Sequence, residues 1–326
     1  MENTLYPLKF VPHYKDKVWG GTRLKALFGK NFDPLPNCGE SWELSTVPGS
    51  ISVVANGFLA GNELHDLIEV YMADLVGEQV FDKHGNKFPL LIKLLDTNDD
   101  LSIQVHPGDA VAQARHHSPG KTEMWYVIHA EPGAEIIAGF NQDISQASYL
   151  KHLNEKKLKD ILNVYKVKAG DVFYIPSGQV HAIGAGITLC EIQQSSDVTY
   201  RLYDWDRPGS DGKFRKLHTE EAMDVIDFSE QDNRVAFTFG HNKPTELVRS
   251  SYFTTRYLRF GKRLELDYYL VDSFVVYICL EGGFKIHYPG GELNVTKGET
   301  VLIPALINGV ALEPDGNTSL LECYVA

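Results

Sequence analysis

One β-unit occurs twice in this chain, and that duplication constrains the fold more than any other feature. Residues 167–176 read Val-Lys-Ala-Gly-Asp-Val-Phe-Tyr-Ile-Pro, and residues 295–304 read Val-Thr-Lys-Gly-Glu-Thr-Val-Leu-Ile-Pro. Upstream, 125–133 (Trp-Tyr-Val-Ile-His-Ala-Glu-Pro-Gly) is echoed by 275–283 (Val-Val-Tyr-Ile-Cys-Leu-Glu-Gly-Gly). A Gly-acidic pair entering an apolar run is a turn feeding a strand. Two copies predict two related β-sandwiches, with an insertion in the first copy because its internal spacing is longer.

Strands are expected at 51–58, 125–129, 134–138, 172–175 and 274–280, where short apolar runs are bounded by Gly, Pro and Asn. Helical spacing of apolar residues appears at 64–75, 146–164 and 219–226. The polar, turn-rich stretch 207–243 reads as a connector. The expectation is therefore an all-β chain of two jelly-roll sandwiches with small helical insertions, divided into 1–236 and 237–326.

The net charge of −12 removes the basic face that nucleic-acid binding requires, and an anionic substrate would need a local basic pocket. The start, Met-Glu-Asn-Thr-Leu-Tyr, lacks the basic and apolar pattern of a secretion signal, and no apolar run reaches membrane-spanning length. Cys38, Cys190, Cys279 and Cys323 are scattered, as in a protein of the reducing cytoplasm, so no membrane association is expected.

The first copy carries metal-ligand chemistry. Gln104 and His106 lie two apart, on one face if the segment is a strand. Glu123 precedes the 125–129 strand, and His181 ends a Pro176-x-Gly178-x-x-His turn. One amide, two imidazoles and a carboxylate suit a divalent ion with a position open to substrate.

The run Gly170-x5-Pro176-x-Gly178-x2-His181 resembles the second cupin motif, and Gln104-x-His106 with Glu123 resembles the first, with Gln in place of the usual His. That replacement, in Ser-Ile-Gln-Val-His-Pro, is similar to type I mannose-6-phosphate isomerases. So are Trp19-Gly-Gly21, Gly39-Glu-Ser-Trp-Glu-Leu-Ser45, Pro89-Leu-Leu-Ile-Lys93, Gly120-Lys-Thr-Glu-Met-Trp125 and Glu191-Ile-Gln-Gln-Ser-Ser-Asp197-Val-Thr-Tyr-Arg201. Absence of a long helical insert matches the short form of the family. Position 185, often Asn in the motif, is Ala.

The resemblance implies one Zn2+ per chain on Gln104, His106, Glu123 and His181, and reversible conversion of mannose 6-phosphate to fructose 6-phosphate through a cis-enediol. It makes Arg201 the leading catalytic residue, with Lys121 binding phosphate or moving a proton and Glu191 or Asp197 as base or orienter. Lys93 and Trp19 are expected at the pocket wall. A bare Arg201 would otherwise pair with Asp197 or Asp204. His116 and His117 read as part of a loop.

The second half is expected to hold no metal. Aligning the two Ile-Pro turns puts Gly309 at the place of His181, and aligning the upstream runs puts Ser273 at that of Glu123. The alternatives are an iron-dependent oxygenase of the same fold, a non-catalytic sugar-binding cupin, and an isomerase of another phosphorylated sugar.

Overall fold

The protein is described here by a computed structural model covering residues 5–209 and 212–325. Among the described residues, four antiparallel sheets form two cupin-type sandwiches. In the first, a six-stranded sheet has the order Val172–Ile175, Glu123–Ala130, Ile187–Gln194, Leu90–Thr97, Glu40–Leu44, His13–Lys15. It faces a five-stranded sheet ordered Tyr200–Tyr203, Ile103–Val105, His181–Ile183, Glu135–Phe140, Leu162–Lys166. In the second, a seven-stranded sheet centred on Thr318–Tyr324 and Val275–Glu281 faces a four-stranded one.

The alternation of side chains shows how the layers stack. In Glu123–Ala130, Trp125 and Val127 point into the first sandwich, where they meet Ile136 and Ala138 of the facing sheet. Met124 and Tyr126 point the other way, into a core shared with Val276, Ile278 and Leu321 of the seven-stranded sheet. The six-stranded sheet is thus covered on both faces, which is why its central strands Leu90–Thr97 and Ile187–Gln194 are buried at every position rather than at alternate ones. The outer face of the five-stranded sheet is closed by Tyr149, Leu158, Ile161 and Ala222 from helical segments. The layer order is helices, five strands, six, seven, four.

Leu8–Val11 leaves the N-terminal half and pairs with Thr300–Ile303, Leu8 opposite Leu302. The sheet therefore crosses position 236.

Several local expectations are corrected. The stretch 51–58 forms a strand only at Val53–Val54, because Asn56 bonds Lys9 N and Pro7 O while Gly57 turns at φ 65°. The helical stretch 64–75 breaks at Met72, φ 45°, into Leu64–Tyr71 and Ala73–Val76. The stretch 146–164 is helical over Gln146–Asn154, turns at Lys156 (φ 59°) and ends as the strand Leu162–Lys166. The segment before His117 is a helix, Asp109–His116, rather than a loop. Glu123 lies opposite Ile175, and Val275 lies opposite Ile303, so the second-sandwich position matching Glu123 is Val275, not Ser273.

Candidate metal centre and cleft

His181 begins a strand whose entry depends on Gly178. There φ is 89°, a conformation that favours glycine, and an added Cβ would lie 2.8 Å from Val225 O. Gly178 N donates to His106 O at 2.8 Å, tying the turn to the other histidine segment. Across the five-stranded sheet His181 is opposite Gln104, and Arg201 is opposite Gln104 on its other side. Glu123 comes from the six-stranded sheet, so the site spans the sandwich.

His106, Glu123 and His181 converge in a buried group. His106 Nε2 is 3.1 Å from His181 Nε2 and 3.5 Å from Glu123 Oε2, and His181 Nε2 is 3.6 Å from Glu123 Oε1. His106 Nδ1 faces Val198 O at 3.1 Å and His181 Nδ1 faces Gln179 O at 2.8 Å. Each carbonyl can only accept, so each Nδ1 carries the proton and each Nε2 turns a lone pair inward. Glu123 Oε1 is buried with no hydrogen-bond partner. Burial holds both imidazoles neutral, with Lys121 adding to the effect, and His181 is lowered to about 3. Burial, then Glu191, pushes Glu123 up to about 7, partly offset by Lys121. Converging lone pairs beside an orphaned carboxylate oxygen are what a divalent cation would satisfy.

The Lys121 ammonium lies 2.6 Å from Glu123 Oε2 and 2.9 Å from His106 Nε2. In front of it opens a cleft of about 510 Å3 whose walls include Trp19, Lys93, Gln104, Lys121, Glu191, Asp197 and Arg201. The structure thus brings those seven residues to one cavity beside the buried group.

Their environments differ. Lys93 Nζ donates to Glu191 Oε1 at 2.8 Å and to Gln193 Oε1 at 2.6 Å, all buried. Burial would raise the Glu191 carboxyl, but Lys93 and Lys121 outweigh it and hold the group at about 2. Trp125 Nε1 donates to its other oxygen at 3.2 Å. Arg201 makes no ion pair with Asp197 or Asp204 among the described residues: Asp204 is taken by Arg207 and Arg215. Arg201 NH1 bonds Lys216 O at 2.9 Å, and its buried Nε has no partner. Asp197 is exposed at the rim, and the Trp19 ring packs into the sandwich core.

Further residues of the cleft were not singled out by sequence. Glu40 lies half-buried beside Lys93 and Lys17, which hold its carboxyl low against the desolvation that would raise it. Trp42 donates Nε1 to Glu40 at 2.7 Å and stands 5.1 Å from Lys15 Nζ and 5.3 Å from Lys93 Nζ. The Gly39–Ser45 string contains both, but gives no sign of which face they occupy.

Residues 7–122 match the model of the type I phosphomannose isomerase catalytic domain. The chain is 40% identical over 327 residues to a mannose-6-phosphate isomerase of Bacillus subtilis, covering 99% of each. It is 36% identical to the mannose-6-phosphate isomerase of Streptococcus mutans, covering 95% of this chain and 96% of the relative. The crystal structure of the Bacillus subtilis mannose 6-phosphate isomerase superposes with a TM-score of 0.88 at 33% identity, covering 98% and 99% of the two chains. With this likeness running the full length of the chain, the protein belongs to the type I phosphomannose isomerase family.

Proposed function

We propose that the protein interconverts mannose 6-phosphate and fructose 6-phosphate in the cytoplasm, with one zinc ion held by Gln104, His106, Glu123 and His181. The observation that carries this is a cleft lined by Lys15, Lys17, Lys93, Lys121, Arg201 and Arg215, in a chain of net charge −12, opening beside the buried His/Glu/His group. Cations so placed favour a dianionic sugar phosphate over a neutral sugar. Two imidazoles with oxygen donors suit zinc, which is redox-inert and would act as a Lewis acid toward the sugar oxygens. The division into 1–236 and 237–326 then separates a catalytic sandwich from a supporting one.

His106 Nε2 has a single lone pair, which can serve the Lys121 ammonium or a metal but not both. With a metal on His106, the Lys121 ammonium would be available to the cleft, where it would bind substrate. The Arg201 guanidinium, with a free buried N–H, stabilises the negative charge of the enediolate or the phosphate. The reaction moves one proton between C2 and C1, with the hydroxyl and carbonyl exchanging places. Glu191, held strongly acidic by Lys93, is a weak base and serves to orient Lys93 and Trp125. Lys121 and Asp197 are left as proton-transfer groups, and kcat–pH profiles of Lys121→Arg and Asp197→Asn separate them.

The deciding assay couples fructose 6-phosphate formation to a reporter dehydrogenase. It should respond to mannose 6-phosphate and not to free mannose. Activity confined to a different aldose phosphate would replace the substrate, and inactivity of the zinc-loaded protein on all of them would overturn the reading.

A further inference from the structure

Val47, Pro48 and Asp197 line the cleft and also a second chamber, of about 590 Å3. Its basic side chains come from separate elements. Lys83 and His84 end the helix Glu78–His84, and Lys87 follows it. His116 ends the helix Asp109–His116, and His117 caps it at φ 53°. Neither Lys83 nor Lys87 has a carboxylate within ion-pair distance among the described residues.

The facing acids are few. Asp197 stands on the shared wall, and Asp109 lies behind Tyr252 with its oxygens engaged by Gly120, Gln194 and Tyr252. Asp82, on the helix of Lys83, is exposed and outside the lining. Hydroxyls complete the wall at Ser195 and the Ser118–Ser196 pair at 3.0 Å, while that of Thr46 is engaged by the Phe88 backbone. Exposed Pro48 and Pro119 contribute apolar surface. Ammonium groups and hydroxyl donors around a small-molecule-sized cavity suit a phosphate group, and in an acidic protein they form a local attractor for anions.

We propose that this chamber is a binding site for a phosphate monoester, separate from the metal cleft. Its wall leads directly to the catalytic segment. Gln194 accepts from Thr122 N at 2.9 Å and donates to Asp109 at 2.9 Å, and Thr122 stands between Lys121 and Glu123. An occupant resting on Ser118, Ser196 and Gln194 is therefore one hydrogen bond away from the segment that presents both.

The test is calorimetric titration of the full-length, zinc-loaded protein with inorganic phosphate, fructose 6-phosphate and free mannose. The wild type should bind inorganic phosphate. Lys83→Glu/Lys87→Glu should weaken that binding at least about tenfold, and Lys121→Ala should retain it. Inorganic phosphate and fructose 6-phosphate binding equally assigns the site to the phosphate group, while tighter binding of the sugar phosphate adds contacts to the sugar; both support the proposal. Free mannose competing for the site overturns it. So does a wild type that binds no phosphate at millimolar concentration, or a charge-reversed variant that binds like the wild type. The variant should keep its KM for mannose 6-phosphate within about twofold; a tenfold rise would make the chamber the phosphate end of the catalytic cleft and overturn the separation. Lys83→Gln/Lys87→Gln gives the same readings if charge reversal impairs folding. Calorimetry reports the chamber whether or not the isomerase assay succeeds, so the two readings fail separately.

Discussion

His181 illustrates how much one backbone carbonyl decides. Gln179 O fixes the proton on Nδ1, so Nε2 is left to face Glu123. His181→Ala should lose bound metal and activity together, read by metal analysis and the isomerase assay; full occupancy in the variant would remove His181 from the ligand set. Arg201→Lys keeps the charge but not the planar fork, and should lower kcat on the order of 100-fold with zinc retained. An unchanged kcat would leave Arg201 a structural role. The convergence of His106, Glu123 and His181 was legible because strand alternation and the Pro-x-Gly turn place donors at fixed offsets, whereas Arg201 was singled out by the family resemblance. Glu40, Trp42 and Gln193 were not, because their contribution depends on sheet order. Glu40–Leu44 borders Leu90–Thr97 only once the sheet is assembled, and that adjacency has no local signal.

At the scale of elements, the two sandwiches share more than turns. Glu191 lies opposite Trp125 on one neighbour and Lys93 on the other. Glu322 lies opposite Tyr277 and Arg256 in the same relation. A carboxylate, a cation and an aromatic residue recur at matching positions, while Glu123 is matched by Val275 and His181 by Gly309. The recurrence supports a positioning role for the Lys93–Glu191 pair. Arg256 Nε donates to Glu322 Oε1 at 2.5 Å, and Tyr268 OH donates to Glu322 Oε2 at 2.9 Å. Arg256→Met leaves that buried carboxylate without its cation and should cost roughly 2–3 kcal/mol in urea unfolding. Asp109 joins three segments by accepting from Gly120, Gln194 and Tyr252. Burial alone would raise its carboxyl, but these bonds hold it below the usual range. Its contribution to stability is therefore complete above the ordinary carboxylate pKa of about 4 and is lost as pH falls through the lower folded value. Wild type should lose stability more steeply than Asp109→Asn between about pH 5 and 3, measured by urea midpoints; parallel curves would discount the group. The helix Asp109–His116 escaped the sequence reading because its mean character is polar and a Ser-Pro-Gly run follows it.

At the scale of the molecule, the two halves of the repeat are joined by their largest faces. The core between the six- and seven-stranded sheets holds Ile92, Met124, Cys190, Val276, Ile278 and Leu321 among its members. A fragment of residues 237–326 would expose that face and lack Leu8–Val11 beside Thr300–Ile303. It should remain unfolded by circular dichroism, and a cooperative melt would show instead that the second sandwich is self-sufficient. The duplication was readable, but this joining was not, because strands covered on both faces give no periodicity that names their partner. The Leu8–Leu302 pairing also sets an order of events at the ribosome. Leu8 is synthesised 294 residues ahead of its mate, Leu302. At ordinary elongation rates the interval is on the order of 15 to 60 s. For that time Leu8 and Lys9 lack their strand partner, while Phe10 and Val11 can already meet Val53 and Val54, and nascent-chain chaperones have their longest opportunity to hold this segment.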